Sequence, residues 1–312
     1  PRSTLFPYTT LFRSVQIECT RIRCDAMLAD FFRLNDNFKE IDENDLRSRI
    51  REASIKDALY RPDRWPEHLN SIRDIIFVNV SFSKTEFRKQ TFTKCKFIDC
   101  LFIGSQFIEV EFHGCRFENC NMYKSSFKGC YLDPSSFIYD KIYRKTHANI
   151  GVGLYQSLLE VASSEKQAGF ERKADIAFRR WKRDQLPYDY KNARINGFER
   201  AYMWASNFVY EMTSGYGYMP GRFVAFTLIL FTALSLLNMA LLRGGLKVDG
   251  NYVVDVGLFD SIFYTYSMMT ALGFSSITPA TSAAKIYAVA LALTGIGWLG
   301  LFTSLLVKRF LK

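Results

Sequence analysis

FTKCKFIDCLFIGSQFIEVEFHGCRF, residues 92–117, carries phenylalanine at every fifth position: Phe92, Phe97, Phe102, Phe107, Phe112 and Phe117. The register starts earlier, at Phe77, Phe82 and Phe87. It continues beyond through Met122, Phe127, Leu132, Phe137 and Ile142. An α-helix repeats its buried face about every 3.6 residues and a strand about every 2, so neither builds a period of five. Two positions before each large residue stands mostly a small one: Val80, Thr85, Cys95, Cys100, Ser105, Val110, Cys115, Cys120, Ser125, Cys130 and Ser135. Gln90 and Asp140 break that second rule near the two ends.

This pattern resembles the pentapeptide-repeat family, and the resemblance implies a right-handed quadrilateral β-helix. Four pentads would close one coil, so residues twenty apart stack. Phe77, Phe97, Phe117 and Phe137 would form one ladder, and Phe87, Phe107 and Phe127 another. Each coil would cover the apolar face of the next, as repeat architectures require. Cys95, Cys100, Cys115 and Cys120 have enough thiols for a zinc site. The spacing instead puts each pair on adjacent sides in the inward register, Cys95 above Cys115 and Cys100 above Cys120. We expect small buried filler, with no metal and no cofactor. Reduced thiols also suit a cytoplasmic setting.

Composition changes at Arg222. Phe223 to Leu242 and Ile286 to Val307 are 20 and 22 residues without a charge, long enough for helices that cross a bilayer. Lys191, Arg194, Arg200 and Arg222 precede the first run, and Lys308, Arg309 and Lys312 follow the second. Between the runs only Arg243, Lys247 and Lys285 are basic. The positive-inside rule then predicts a multi-pass protein of the bacterial inner membrane, with both termini cytoplasmic and the connecting loop outside. Within that loop Leu258 to Met269 is apolar but spans only 12 residues. That length predicts a re-entrant helix, which needs surrounding protein or a water-filled cavity. Tyr202, Trp204, Phe208, Tyr210, Tyr216 and Tyr218 supply the aromatic rings expected at a headgroup boundary.

Residues 259–279, FDSIFYTYSMMTALGFSSITP, resemble the pore region of two-span potassium channels, whose filter is T-V-G-Y-G and is commonly followed by D-I-T-P. The likeness covers about residues 216–312 and rests on Gly273, Phe274, Ile277, Thr278 and Pro279. It implies an all-α two-span pore domain, a selectivity filter at Thr270, Ala271, Leu272, Gly273, Phe274 and Ser275, and monovalent cations in a lipid bilayer. One chain supplies one filter loop and a carbonyl ring needs four, so a homotetramer is expected. Ala271 stands where the family has a hydroxyl, Ser275 where it has glycine, and Ser276 where it has an acid. Selectivity is therefore expected to be weak. Gly295, Gly297 and Gly300 in the second apolar run would serve as a gating hinge, or else allow close helix packing.

The remaining segments carry less. Pro1 to Ser14, PRSTLFPYTTLFRS, resembles a translated short-read sequencing adapter and is set aside. Removing Arg2 and Arg13 lowers the formal net charge from +10 to +8, which still suggests an anionic membrane surface or nucleic acid as a neighbour. Residues 15–70 form a helical or irregular segment, with Ile50, Ala53, Ile55 and Leu59 spaced for a helix before Pro62. Residues 71–143 are the β-helix and 144–200 a basic helical hairpin linker turning at Gly169. There Leu154, Leu158 and Ala162 face Ala174, Ala177, Phe178 and Trp181. Residues 201–312 are the channel module. His68, His113 and His147 lie in unrelated segments, so no enzyme is expected. Residues 75–142 hold nine Lys or Arg against seven Asp or Glu, the wrong sign for pentapeptide proteins that mimic DNA. No nucleic-acid partner follows. The expected function is a tetrameric cation channel whose cytoplasmic repeat domain meets a protein or small-molecule regulator. The alternative is a non-conducting, membrane-anchored scaffold for a protein partner.

Overall fold

The computed structural model describes residues 38–241, 245–248, 251–253, 257–270 and 277–310. They divide into two units, 1–201 and 202–312, with the division inside one helix.

In the first unit the period of five is a period of corners. Asp74, Asn79, Lys84, Lys89, Lys94, Asp99, Gly104, Glu109, Gly114, Asn119, Lys124 and Gly129 all have φ between +51° and +67°. A left-handed residue every fifth position turns the chain and leaves a short strand on each side. Non-glycine residues enter this region at a cost of roughly 1–2 kcal/mol each, so the stacking has to over-determine them. Three parallel sheets result. One contains β4 (Ile76–Ser81), β7 (Lys96–Ile98), β10 (Arg116–Glu118) and β13 (Phe137–Ile138). A second contains β5 (Glu86–Arg88), β8 (Gln106–Ile108) and β11 (Ser126–Lys128). The third contains β3 (Ser71–Arg73), β6 (Thr91–Thr93), β9 (Glu111–His113) and β12 (Tyr131–Leu132). Bridges between Ser81, Leu101 and Asn121 join the coils on a further side. Pairing is in register at twenty residues, Phe77 with Phe97 and Phe97 with Phe117. These sheets fit a β-helix.

The phenylalanines fill its centre. Phe77 and Phe97 stack with centroids 4.8 Å apart and planes 3° from parallel. Around one coil the neighbours meet edge to face, Phe92 and Phe97 at 5.9 Å and 72°. Both are favoured arrangements of aromatic quadrupoles. Phe82, Phe87, Phe102, Phe112, Phe127 and Phe137 are also buried. The small residues are more than filler, which corrects the expectation for the thiols. Cys95, Cys100, Cys115, Cys120 and Cys130 each donate Sγ–H to a carbonyl 23 residues back in the coil below. Ser105 and Ser125 do the same with oxygen at 2.7 Å. All five cysteines are unpaired in disulfides and buried. Burial pushes the Cys130 thiol up and the Cys120 thiol well up, so both stay protonated donors.

The ends of the β-helix depart from the sequence expectation. After β1 (Lys39–Ile41) and α1 (Glu43–Ile50), Ala53 at φ +57° breaks the chain and β2 (Ser54–Tyr60) follows. Residues 54–60 are thus a strand, correcting the expected helix before Pro62. β2 pairs with β4, Ile55 opposite Phe77 and Ala58 opposite Val80. Ile55, Ala58 and Tyr60 are buried; the open edge of β4 offers a ladder, which outweighs the weak helical spacing.

At the other end α2 (Lys141–Thr146), α3 (Ala148–Ser164) and α4 (Ala168–Lys191) form a cap. The turn of the hairpin falls at Glu165–Gln167 with Lys166 at φ +54°, and Gly169 lies in the first turn of α4. That corrects the expected turn at Gly169. The hairpin is also no linker, because its core is continuous with the repeat core. The Trp181 ring stands edge to face on Tyr139 at 5.2 Å and fills the space where a Cβ on Gly151 would be. Tyr155 donates to the Pro134 carbonyl at 3.4 Å. Two basic residues of the hairpin are held in ion pairs, Lys173 with Asp133 at 2.8 Å and Arg179 with Asp175 at 2.8 Å.

The second unit holds most of α5 (Gly197–Ser214), then α6 (Pro220–Leu241), α7 (Leu258–Met269) and α8 (Ser282–Phe310). It also contains strands, correcting the all-α expectation. β14 (Leu246–Val248) pairs antiparallel with both β15 (Asn251–Val253) and β16 (Ile277–Pro279). Extended backbone between the apolar helices finds its hydrogen-bond partners in this sheet.

Candidate functional site

Two helices of this unit are long and apolar enough to cross a bilayer, Pro220–Ala240 and Ser282–Val307. Only 17% of each apolar window is buried in the chain, so these are not core helices of a soluble domain. Phe223, Trp298 and Phe302 stack between them, with Phe223 to Trp298 at 6.1 Å and Trp298 to Phe302 at 5.8 Å. Trp298 Nε1 donates to Thr227 Oγ1 at 2.9 Å, and the Tyr287 hydroxyl donates to the Leu234 carbonyl at 3.2 Å.

The helix α7 is 12 residues long, about 18 Å, too short to span. Its burial is opposite to that of a soluble amphipathic helix. Ser261, Tyr264, Thr265, Ser267 and, at its end, Met269 are buried, whereas Leu258, Phe259, Ile262, Phe263 and Tyr266 are exposed on the chain. Its polar side rests on α6: Ser261 Oγ donates to the Ser235 carbonyl at 2.6 Å, and Asn238 Nδ2 to Thr265 Oγ1 at 3.3 Å.

The end of α7 is fixed against α8. A Cβ on Gly295 would fall on the backbone oxygen, carbon and Cα of Met269, so only glycine admits this approach. Among the described residues, nothing lies within 4 Å of a Cβ placed on Gly297 or Gly300. The structure therefore separates the three glycines grouped by the sequence.

Thr270 closes α7 in the right-handed region, φ −86° and ψ −5°, with its hydroxyl donating back to the Tyr266 carbonyl at 2.7 Å. Ala271, Leu272, Gly273, Phe274, Ser275 and Ser276 lie outside the described residues. The chain resumes in β16, where Ile277 pairs with Val248 and Thr278 with Lys247. Ala280 N–H donates to the Gly245 carbonyl at 2.9 Å. The segment after residue 276 is thus braced by the loop between the spans, a contact with no periodic signal in the sequence. Among the described residues no cluster of three or more His, Cys, Asp or Glu is placed to hold a metal.

The order is therefore span, short helix, loop, braced strand, span. Residues 223–312 match the family model described as an ion channel, and residues 70–142 match the one described as a pentapeptide repeat region. The chain fuses a pentapeptide-repeat domain to an ion-channel domain. No curated protein matches it. The ion-channel domain accounts for the two spans and places the chain in a membrane. The pentapeptide-repeat match coincides with the sheets described above, and it leaves β1, β2 and all but the first two residues of the helical cap outside its bounds.

Proposed function

We propose that four copies of this chain form a monovalent-cation pore of the bacterial inner membrane. The repeat domain and both termini lie in the cytoplasm, where the repeat domain serves as a regulatory or interaction module. The β-helix is the right-handed quadrilateral form, and α7 is the re-entrant pore helix. The observation that carries this is the order of elements: a helix too short to span is closed by Thr270 and a braced strand begins at Ile277, all inside the ion-channel match. Four such loops around an axis supply stacked carbonyl rings for a dehydrated ion.

Potassium preference is weak in this proposal. Ala271 gives no hydroxyl to the innermost layer. Ser275 replaces a glycine, and a Cβ in a left-handed position costs on the order of 1 kcal/mol per subunit. Ser276 leaves the mouth without an acid. Reconstituted protein in planar bilayers under opposed potassium and sodium gradients tests this. Currents with a small reversal potential are expected, strong potassium selectivity would refute the weakened filter, and no current would favour the membrane-anchored scaffold. External labelling that reaches Gly250→Cys and spares Lys312→Cys is the expected topology.

A further inference from the structure

We infer that Ser261, Thr265 and Asn238 are positioning residues for the ion path, acting by fixing the pose of α7 against α6. This rests on the proposal that the loop after Thr270 lines the pore. Ser235 and Asn238 are three residues apart on α6, and Ser261 and Thr265 four apart on α7, so each pair occupies one helix face. The two faces meet. Ser261 Oγ donates to the Ser235 carbonyl at 2.6 Å, Thr265 Oγ1 to the Ser261 carbonyl at 2.8 Å, and Asn238 Nδ2 to Thr265 Oγ1 at 3.3 Å. All four residues are at most 2% exposed. Beside them Tyr287 of α8 donates to the Leu234 carbonyl, so two successive carbonyls of α6 each accept a side-chain donor from a different helix.

Apolar packing alone fixes such a short helix poorly. Lipid tails are as apolar as leucine, so no hydrophobic force selects one rotation of α7 over another. Directional hydrogen bonds at bilayer depth do select one. Ser261 sets the rotation of α7 about its axis, and the bond from Asn238 to Thr265 sets its position along α6. Gly295 holds the far end at Met269. The direction in which the chain leaves α7 at Thr270 follows from these contacts, and a reacting or binding shell is only as well placed as the groups that support it. Among the described residues, the buried Asn238 Oδ1 and Ser235 Oγ atoms have no hydrogen-bond partner. Polarity is retained in this seam although part of it goes unsatisfied, which apolar residues would avoid.

The test is single-channel recording of the full-length protein carrying Ser261→Ala, Thr265→Val, Thr265→Ser or Asn238→Leu. Thr232→Val is the control, because that hydroxyl bonds back to the Leu228 carbonyl of its own helix on the exposed side of α6. Loss of one interhelical bond is expected to change unitary conductance or the permeability ratio by about threefold. Thr265→Ser and Thr232→Val should keep the wild-type values. Should Ser261→Ala fail to assemble, the contrast between Thr265→Val and Thr265→Ser carries the result. A conducting wild type with unchanged single-channel properties in every variant would overturn the inference alone. Absence of current from the wild type would overturn it together with the pore proposal.

Discussion

The Cα of Gly295 in the second span faces the backbone carbonyl of Met269 at the end of α7, with no room between them for a methyl group. Gly295→Ala must therefore displace either α7 or α8, an overpacking cost of about 1–3 kcal/mol. Lower thermal stability of the detergent-solubilised protein and reduced current are expected. Gly297→Ala and Gly300→Ala meet no described residue of the chain within 4 Å and should leave stability near the wild type. A change in open probability confined to these two would mark them as the hinge. Equal losses for all three would contradict the distinction.

Phe107 lies between Phe87 and Phe127, stacked on each with centroids 4.9 Å apart. Phe107→Asp removes the ring and leaves a carboxylate in that ladder, costing at least ~3–5 kcal/mol, a large share of a domain's stability. The repeat domain should lose protease resistance. Lys96→Glu changes an exposed side chain and should lie within about 0.5 kcal/mol of the wild type.

Cys120 donates its Sγ–H to the Phe97 carbonyl at 3.3 Å, the bond that Ser125 makes to Phe102 with oxygen. Cys120→Ser keeps a donor and should fold with little change. Cys120→Val adds about a methyl group at this buried site and leaves the carbonyl without its side-chain partner, the latter at a cost of roughly 1–3 kcal/mol. Denaturant midpoints of the two variants measure the difference. If valine proves as good as serine, the thiols are filler after all.

His147 joins α2 to α3, with Nδ1 2.7 Å from the Thr146 hydroxyl and its ring 5.2 Å from that of Tyr143. Burial holds its imidazole below the ordinary value of 6.5. The unfolded chain takes up this proton near pH 6.5, the folded cap only at lower pH. The stability contribution is therefore complete above pH 6.5 and declines as pH falls below it. Limited proteolysis of the hairpin should quicken on that acid side, and His147→Asn should remove the dependence. An unchanged pH profile in His147→Asn would sink this assignment.

The residues that repeat determined much of this protein by themselves. A phenylalanine every fifth position admits few packings, so the ladders Phe77–Phe97–Phe117 and Phe87–Phe107–Phe127 were legible without coordinates. So were the two spans, because an uncharged run of 20 residues has few homes outside a bilayer. The tertiary structure alone decided the contacts that do not repeat. Ile55 and Leu59 have spacing that suits a short helix, yet residues 54–60 form a strand because β4 presents an unpaired edge. Trp181 on Gly151 turns an apparent linker into a cap. In the pore module the same limit applies to Gly295, Gly297 and Gly300, which are alike in sequence. Only the approach of Met269 from another helix separates them. Periodic burial is a local property of the chain and shows in its composition. A contact between residues far apart depends on which edges and faces remain open once the local elements have formed.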